Sequence, residues 1–305
     1  MKTNAATPRR MQGRDDRIIN FSALLLCTLV LAATLYPLIY VISASFSDPN
    51  EVINGNIWLL PKGLTLDGYK MILDYDPIWI GYRNTICYAL VGTTMNLALT
   101  LPCAYALSRR DFRGRTGIML LFTFTMFFSG GLIPTYLAMK DFGLLNNPFA
   151  VILPGAVNVT NLIIARTYFA SSIPWELQEA ATIDGCSNTG LFVKIVLPLS
   201  MPIVAVIALY YLVGHWNAYF NALIYLSDEK LYPLQLFLRN ILLQDQMTEM
   251  LEGDSEAMQA LMRRLQLKES MKYGIVVLSS LPVLVIYPFL QKYFVKGMMI
   301  GAIKG

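Results

Sequence analysis

The sequence predicts an all-α integral membrane protein of six transmembrane helices, and three observations carry that expectation. Of the 305 residues, 55% are hydrophobic and only 14% charged, against roughly 25% charged in an ordinary soluble domain. The charges are gathered into short segments between long uncharged runs, each able to cross the ~30 Å hydrocarbon core of a bilayer. One polar stretch, Ser171 to Pro202, interrupts the apolar pattern and reads as a helix, a reversal and a second helix.

Residues 1–17 carry Lys2, Arg9, Arg10, Arg14 and Arg17 against Asp15 and Asp16. That basic bias places the tail in the cytoplasm. Residues 18–43 are the first span, with no charge between Ile18 and Ser47. Ser43-Ala44-Ser45 loosely imitates a signal-peptide cleavage site, but a secretory apolar core runs ~7–15 residues. The longer run here favours an uncleaved helix. Residues 44–83, with Pro49, Gly55, Pro61 and Gly63, form an external loop.

A five-helix core is expected over 84–291. Asn84 to Ser108 is the second span, ended by Arg109, Arg110, Arg113 and Arg115. A nucleic-acid patch is the rival reading of such a run, but its place between two spans makes it a cytoplasmic loop. Thr116 to Met139 is the third span. Its Ser129-Gly130-Gly131 followed by Pro134 marks a broken or closely packed helix, which neighbouring helices can satisfy. The fourth span covers about Pro148 to Tyr168 and the fifth about Leu199 to Tyr225. Between them, 171–198 returns on the cytoplasmic side. Residues 226–272 make a long external loop whose six Lys/Arg are offset by eight acids. Tyr273 to Gln291 is the sixth span, and 292–305 a cytoplasmic tail. Both termini then lie in the cytoplasm of a multi-pass cell-membrane protein.

Several chemistries are excluded or disfavoured. No Gly-Lys pair occurs, so there is no phosphate-binding P-loop. A single histidine, His215, rules out a histidine metal cluster or a catalytic triad, and no metal or cofactor is expected. Acids are nearly absent from the spans, whereas ion-coupled carriers keep Asp, Glu or His there. The net charge of +4 is small and does not suggest nucleic acid. Cys27, Cys87, Cys103 and Cys186 show no pairing logic and read as small packing residues. The chain is therefore not an enzyme, and any energy source lies on another chain.

Within the spans, uncharged polar residues recur on defined faces. Tyr210, Gly214, Asn217 and Asn221 stack at i, i+4, i+7 and i+11 of the fifth span, and Asn158 and Asn161 at i and i+3 of the fourth. Amides and aromatics suit the path of a neutral, hydroxyl-rich solute. The same residues could equally bond helix to helix.

The polar stretch carries Glu179-Ala180-Ala181, Gly185, Ile195 and Leu197-Pro198, the pattern E-A-A-x3-G-x9-I-x-L-P with no position missing. Ser171 and Ser172 are expected N-caps, Pro174 a first-turn residue, and Glu176 and Glu179 favourable to the helix dipole. Trp175, Glu179 and Ile183 share one face; Leu177, Ala180, Ala181 and Asp184 share the other. Asp184-Gly185 ends the helix.

This pattern resembles the cytoplasmic coupling loop of the membrane-spanning subunits of binding-protein-dependent ABC importers. WNAYFNALIYL (216–226), PLQLFLR (233–239) and YFVKGMMIGAIKG (293–305) resemble carbohydrate-uptake permeases of the maltose-transporter type. GGLIPTY (130–136) and GLLNNP (143–148) resemble their Gram-positive oligosaccharide branch. The resemblance implies the type I importer fold, a five-helix permease core plus an N-terminal helix. It implies four kinds of partner: a second, paralogous permease, separate ATPase subunits that bind the ATP, an extracytoplasmic solute-binding protein, and the lipid bilayer. It also implies that Trp175, Glu176, Glu179, Ala180, Ala181, Asp184, Gly185, Ile195, Leu197 and Pro198 form the ATPase-coupling element. In that element Glu179 anchors to a basic residue, Gly185 permits the turn and Pro198 shapes membrane re-entry. The alternatives are the same importer fold carrying a non-sugar solute and, more remotely, a membrane receptor or scaffold without transport.

Overall fold

A computed structural model of the chain describes residues 14–244 and 271–288. The expectations for 1–13, for 245–270 of the external loop, for the end of the sixth span and for the C-terminal tail lie outside the described residues. Among those described, every regular element is helical. The chain divides into two compact units, residues 1–71 with 253–277, and residues 72–252 with 278–305.

In the first unit, α1 (Arg14–Ser45) is uncharged on all sides from Ile18 onward, and residues such as Ile18, Phe21, Leu24 and Leu29 are exposed. A helix with no polar face needs a lipid or protein surround. Only its last turns are buried. Ala44 packs with Val52 of α2 (Pro49–Ile53) and with Ile57, joined by Tyr40 and Tyr273. Ser43 Oγ donates to the Leu59 carbonyl (2.6 Å), and Tyr69 Oη to Ser45 Oγ (2.8 Å). The external loop is therefore folded against the helix end rather than loose. The short α3 (Asp67–Leu73) leads out of it.

The second unit is organised on α4 (Asp76–Ser108), which begins two turns before the predicted second span. It has no acid or base between Asn84 and Ser108, and its buried face mixes small, polar and aromatic residues, among them Ala89, Gly92, Asn96, Thr100 and Ala104. Small residues let other helices approach closely. Those that pack on it are α8 (Val159–Ser172), α12 (Met201–Trp216) and α14 (Leu234–Gln244). Leu101, Ala104, Leu107, Leu162, Ala165, Phe169, Ile203, Ile207 and Tyr211 form the core between them. Trp216 Nε1 also donates to the Ser279 carbonyl of α15 (Met271–Pro288), 3.0 Å away.

The closest approach on α4 is at Gly81. A Cβ there would stand 2.9 Å from Leu234 Cα and 2.9 Å from Phe237 Cδ2. Gly81→Val should therefore overpack the α4–α14 contact and destabilise the protein by about 1–3 kcal/mol. Unfolding measured in lipid nanodiscs tests this; unchanged stability would show that α14 can lift away freely.

The third predicted span is broken, as its glycines suggested. α5 (Arg115–Phe127) and α6 (Leu132–Asp141) meet at 112° across 128–131. Gly131 sits at φ +85°, a conformation costly for a residue with a Cβ.

The fourth predicted span differs from a single helix. α7 (Phe149–Ile152) ends before Pro154-Gly155, and α8 starts afresh at Val159. Gly155 takes φ +88°, and Pro154 cannot donate a backbone bond. With 14 residues, α8 is about 21 Å long.

The fifth predicted span is likewise divided. After α9 (Trp175–Ile183), the chain runs through α10 (Asn188–Leu191), a π-helical turn at Phe192–Val196 and α11 (Leu197–Leu199). It then bends by 85° at Ser200 into α12. Pro198 and Pro202 each lack the N–H that a straight helix would use there, which accounts for the bend. A second break at 217–219 precedes α13 (Phe220–Tyr225). The described residues hold three helices long and apolar enough to cross a membrane, or five if each bent pair is one span.

The four cysteines are free, but Cys27 and Cys87 are exposed, so those two do not pack inside the chain.

Candidate functional site

The E-A-A segment forms α9, nine residues long. Its N-cap is Pro174, not a serine: Ser171 and Ser172 complete the last turn of α8, and Ser171 Oγ bonds back to the Tyr168 carbonyl. The side-chain cap was misplaced because α8 runs on to within three residues of α9. At the other end the expectation holds in detail. Cys186 N–H donates to the Ala181 carbonyl (2.9 Å) and Gly185 N–H to Thr182 (3.1 Å), with Gly185 at φ +73°. That is the Schellman arrangement, and it spends the orphan carbonyls of the helix end.

Ala181 and Gln178 face inward and are buried. Ala180 is exposed instead, so the two alanines do not share one buried side. Trp175 Nε1 donates to Glu179 Oε1 (2.6 Å), tying together residues one turn apart on the opposite face. Ile183, at the tip, is 86% exposed.

The loop is tethered to α4 by a residue the sequence reading treated only as a topology signal. The Arg109 guanidinium grips the Asp111 carboxylate through Nε and Nη2 (2.9 and 2.6 Å) and reaches Asn188 Oδ1 with Nη1 (2.9 Å). That hydrogen bond holds the Asp111 carboxyl below the usual carboxylate range, and it raises the affinity of Arg109 for its proton. Arg109, Asp111 and Asn188 on one side, and Trp175, Gln178 and Glu179 on the other, enclose an open groove of about 580 Å³. Gln178 Oε1 is buried beside it with no hydrogen-bond partner.

A second concavity, of about 240 Å³, lies between α8, α12 and α13. Asn158, Asn161, Tyr210, Gly214 and Asn221 all line it, together with Tyr211 and His215. Asn217 does not join them. It is the C-cap residue of α12, and its amide donates to the Val213 carbonyl (3.0 Å), so the expected continuous stripe is interrupted there. Asn158 is not on a helix face but is the N-cap of α8, its Oδ1 accepting from Asn161 N–H (3.1 Å).

The walls of this cleft are fixed by a polar network that the sequence reading did not pick out. Asn96 Nδ2 donates to the carbonyls of Ala156 (2.6 Å) and Gly155 (3.4 Å), and Asn96 Oδ1 pairs with His215 Nε2 (2.7 Å). The two carbonyl contacts orient the amide and turn its Oδ1 to the imidazole, an arrangement that suits the tautomer with a proton on Nε2. Tyr211 Oη accepts from Asn158 N–H (3.0 Å) and pairs with Thr100 Oγ1 (2.7 Å). His215 packs against Gly92, where any Cβ would collide with the Nε2 end of the ring. The available sequence signal was an asparagine and a threonine four residues apart inside an uncharged span.

The chain matches a family model described as "Binding-protein-dependent transport system inner membrane component" over residues 77–300. It is 42% identical over 274 residues to the polygalacturonan/rhamnogalacturonan transport system permease protein YtcP of Bacillus subtilis, covering 88% of this chain and 92% of YtcP. Protein LplC of the same organism is 41% identical over 274 residues, 90% of each chain. Among solved structures it is similar to a chain from the crystal structure of a bacterial ABC transporter involved in the import of the acidic polysaccharide alginate. That match has a TM-score of 0.83 at 35% identity and covers 94% of this chain and 100% of the other. With the matched region enclosing both α9 and the asparagine-lined cleft, the chain belongs to the inner-membrane components of binding-protein-dependent transport systems, as a multi-pass permease subunit and not an enzyme.

Proposed function

We propose that this permease imports oligosaccharides and is driven by separate ATPase subunits that grip α9. The observation that carries the coupling half is the build of that helix. It is closed by a Schellman turn, stiffened by the Trp175–Glu179 bond and tethered through Asn188 to Arg109, yet it leaves Ile183 bare at its tip. A large apolar side chain held at the tip of a polar loop is positioned as an anchor for a partner protein's apolar pocket. The exposed Glu179 supplies a polar contact on the same helix.

The solute half rests on the cleft, where uncharged amides and tyrosines offer hydrogen bonds and flat apolar surface. The relatives named for polygalacturonan and rhamnogalacturonan and for alginate support a carbohydrate. The arginine cluster at 109–115 and the basic N-terminal tail favour an orientation with α9 and both termini in the cytoplasm and the 44–83 loop outside. In the assembled importer a second permease completes the pathway, ATP is bound on the ATPase pair, and an extracytoplasmic binding protein delivers the solute. ATP-driven closure of the ATPases would draw the coupling helices together, and hydrolysis would release them.

The test is Ile183→Glu in the complex co-expressed with its ATPase and partner permease. The variant should insert normally while ATPase co-purification and ATP-dependent sugar uptake fall at least about tenfold, as expected for losing one buried apolar anchor. Full uptake with a stable complex would remove α9 from the coupling role.

A further inference from the structure

The loop after α1 carries an apolar surface that neither the coupling helix nor the cleft uses. Its stretch 56–66, NIWLLPKGLTL, holds one tryptophan, four leucines and a single charge, Lys62. Ile57 is buried against Ala44 and Val52. Trp58, Leu60 and Leu64 instead are 73%, 77% and 78% exposed, and Leu59 and Leu66 are exposed as well. Large apolar side chains gathered so closely on a surface mark a contact with something other than water.

These side chains are held in place. Lys62 N–H donates to Ser47 Oγ (3.0 Å), Asp48 N–H to the Lys62 carbonyl (3.0 Å) and Thr65 N–H to the Phe46 carbonyl (3.0 Å). With the Ser43–Leu59 bond, these contacts clamp 59–65 alongside the last turn of α1. The depth of the loop is therefore the depth of that turn. At ~1.5 Å per residue, Ser43 lies about 39 Å along the helix from Arg17. A bilayer with its headgroups is ~40–45 Å thick, so Ser43 reaches the far headgroup layer when Arg17 sits in the near one.

Three features choose lipid over protein as the cover. The exposed apolar surface of α1 runs on through Leu35, Tyr36, Leu38 and Ile42 toward the loop, so the two surfaces share one surround. Tryptophan and tyrosine with lysine, and no acid, is the composition of an interfacial belt, where the ammonium meets lipid phosphate. A soluble delivery protein would also return this surface to water at every departure, whereas lipid covers it throughout.

We propose that Trp58, Leu59, Leu60 and Leu64 form an interfacial anchor, seated at the headgroup–acyl boundary of the leaflet opposite Arg17. Lys62 points its charge at the lipid phosphates, and the clamped loop fixes the depth and tilt of α1. The anchor depends only on α1 crossing the membrane, so it stands or falls apart from the coupling and solute readings.

The experiment uses the full importer complex in nanodiscs made with lipids brominated either near the headgroup end of the acyl chain or near its terminus. The emission lost in Trp58→Phe isolates this indole from every other tryptophan in the complex. Its share should fall about twofold or more with the headgroup-end bromines and less with the terminal ones, as for a belt tryptophan. Leu64→Trp adds a second reporter on the same surface and should behave alike; it serves if Trp58→Phe does not assemble. Quenching by aqueous iodide but not by brominated lipid would place the surface in water and overturn the anchor. Quenching by neither would mean that a partner subunit covers it, and stronger quenching from the chain terminus would place it too deep. Each of these also overturns the proposal.

Discussion

Gly185→Val is expected to leave the protein folded in the membrane and to reduce ATP-dependent uptake at least about tenfold. At φ +73° a residue with a Cβ is strained by about 1–2 kcal/mol, and a β-branched one by more. Nothing lies within 4 Å of the position a Cβ would take. The strain therefore cannot be relieved by moving a neighbour, and no clash spreads into the bundle. The turn itself must change, releasing the Cys186–Ala181 and Gly185–Thr182 bonds and turning α10 away from α9. A misplacement worth ~1.4 kcal/mol already shifts a population tenfold. Gly185→Asn is the control, because asparagine enters the left-handed region at little cost. It should retain most of the uptake. Equal loss in both variants would mean that open space at 185, rather than backbone conformation, is what matters.

Asn96→Leu should produce the largest loss of stability. An interhelical side-chain hydrogen bond in a membrane protein is worth on average only ~0.6 kcal/mol. Asn96 does more, because two of its three partners are main-chain carbonyls at a helix break, where lipid offers no substitute. Removing it strands the Gly155 and Ala156 carbonyls and the His215 ring nitrogen. At about 1–3 kcal/mol for each unsatisfied buried group, a net loss of about 3–5 kcal/mol is expected after partial relaxation. Unfolding by SDS in bicelles measures it. A loss under ~1 kcal/mol, the scale of an ordinary bond, would show that water in the cleft replaces the amide.

The fold class and the turn that closes α9 were legible because each rests on a pattern that local physics dictates. Charge-free runs of span length and a glycine placed to end a helix do not depend on tertiary context. The breaks were less legible. Gly130-Gly131 announced one, but Pro154-Gly155 was passed over within an apolar run, and with it the change of Asn158 from a face residue to a cap. Hydropathy measures how well a stretch tolerates lipid and is blind to whether its backbone continues. The stripe at 210, 214, 217 and 221 failed at Asn217 for the same reason, since helical spacing assumes an unbroken helix. The roles of Asn96 and Arg109 as tethers were not legible because they depend on partners about 60 and 79 positions away in the chain.

The guanidinium of Arg109 closes a mechanical circuit. The polar loop leaves the bundle at the foot of α8 and rejoins it through the bent segment before α12, and both of those helices lean on α4. With Asn188 held at the end of α4, the loop cannot swing as a pendulum on its two exits. Any load placed on the loop would therefore be shared among three helices rather than carried by one strut.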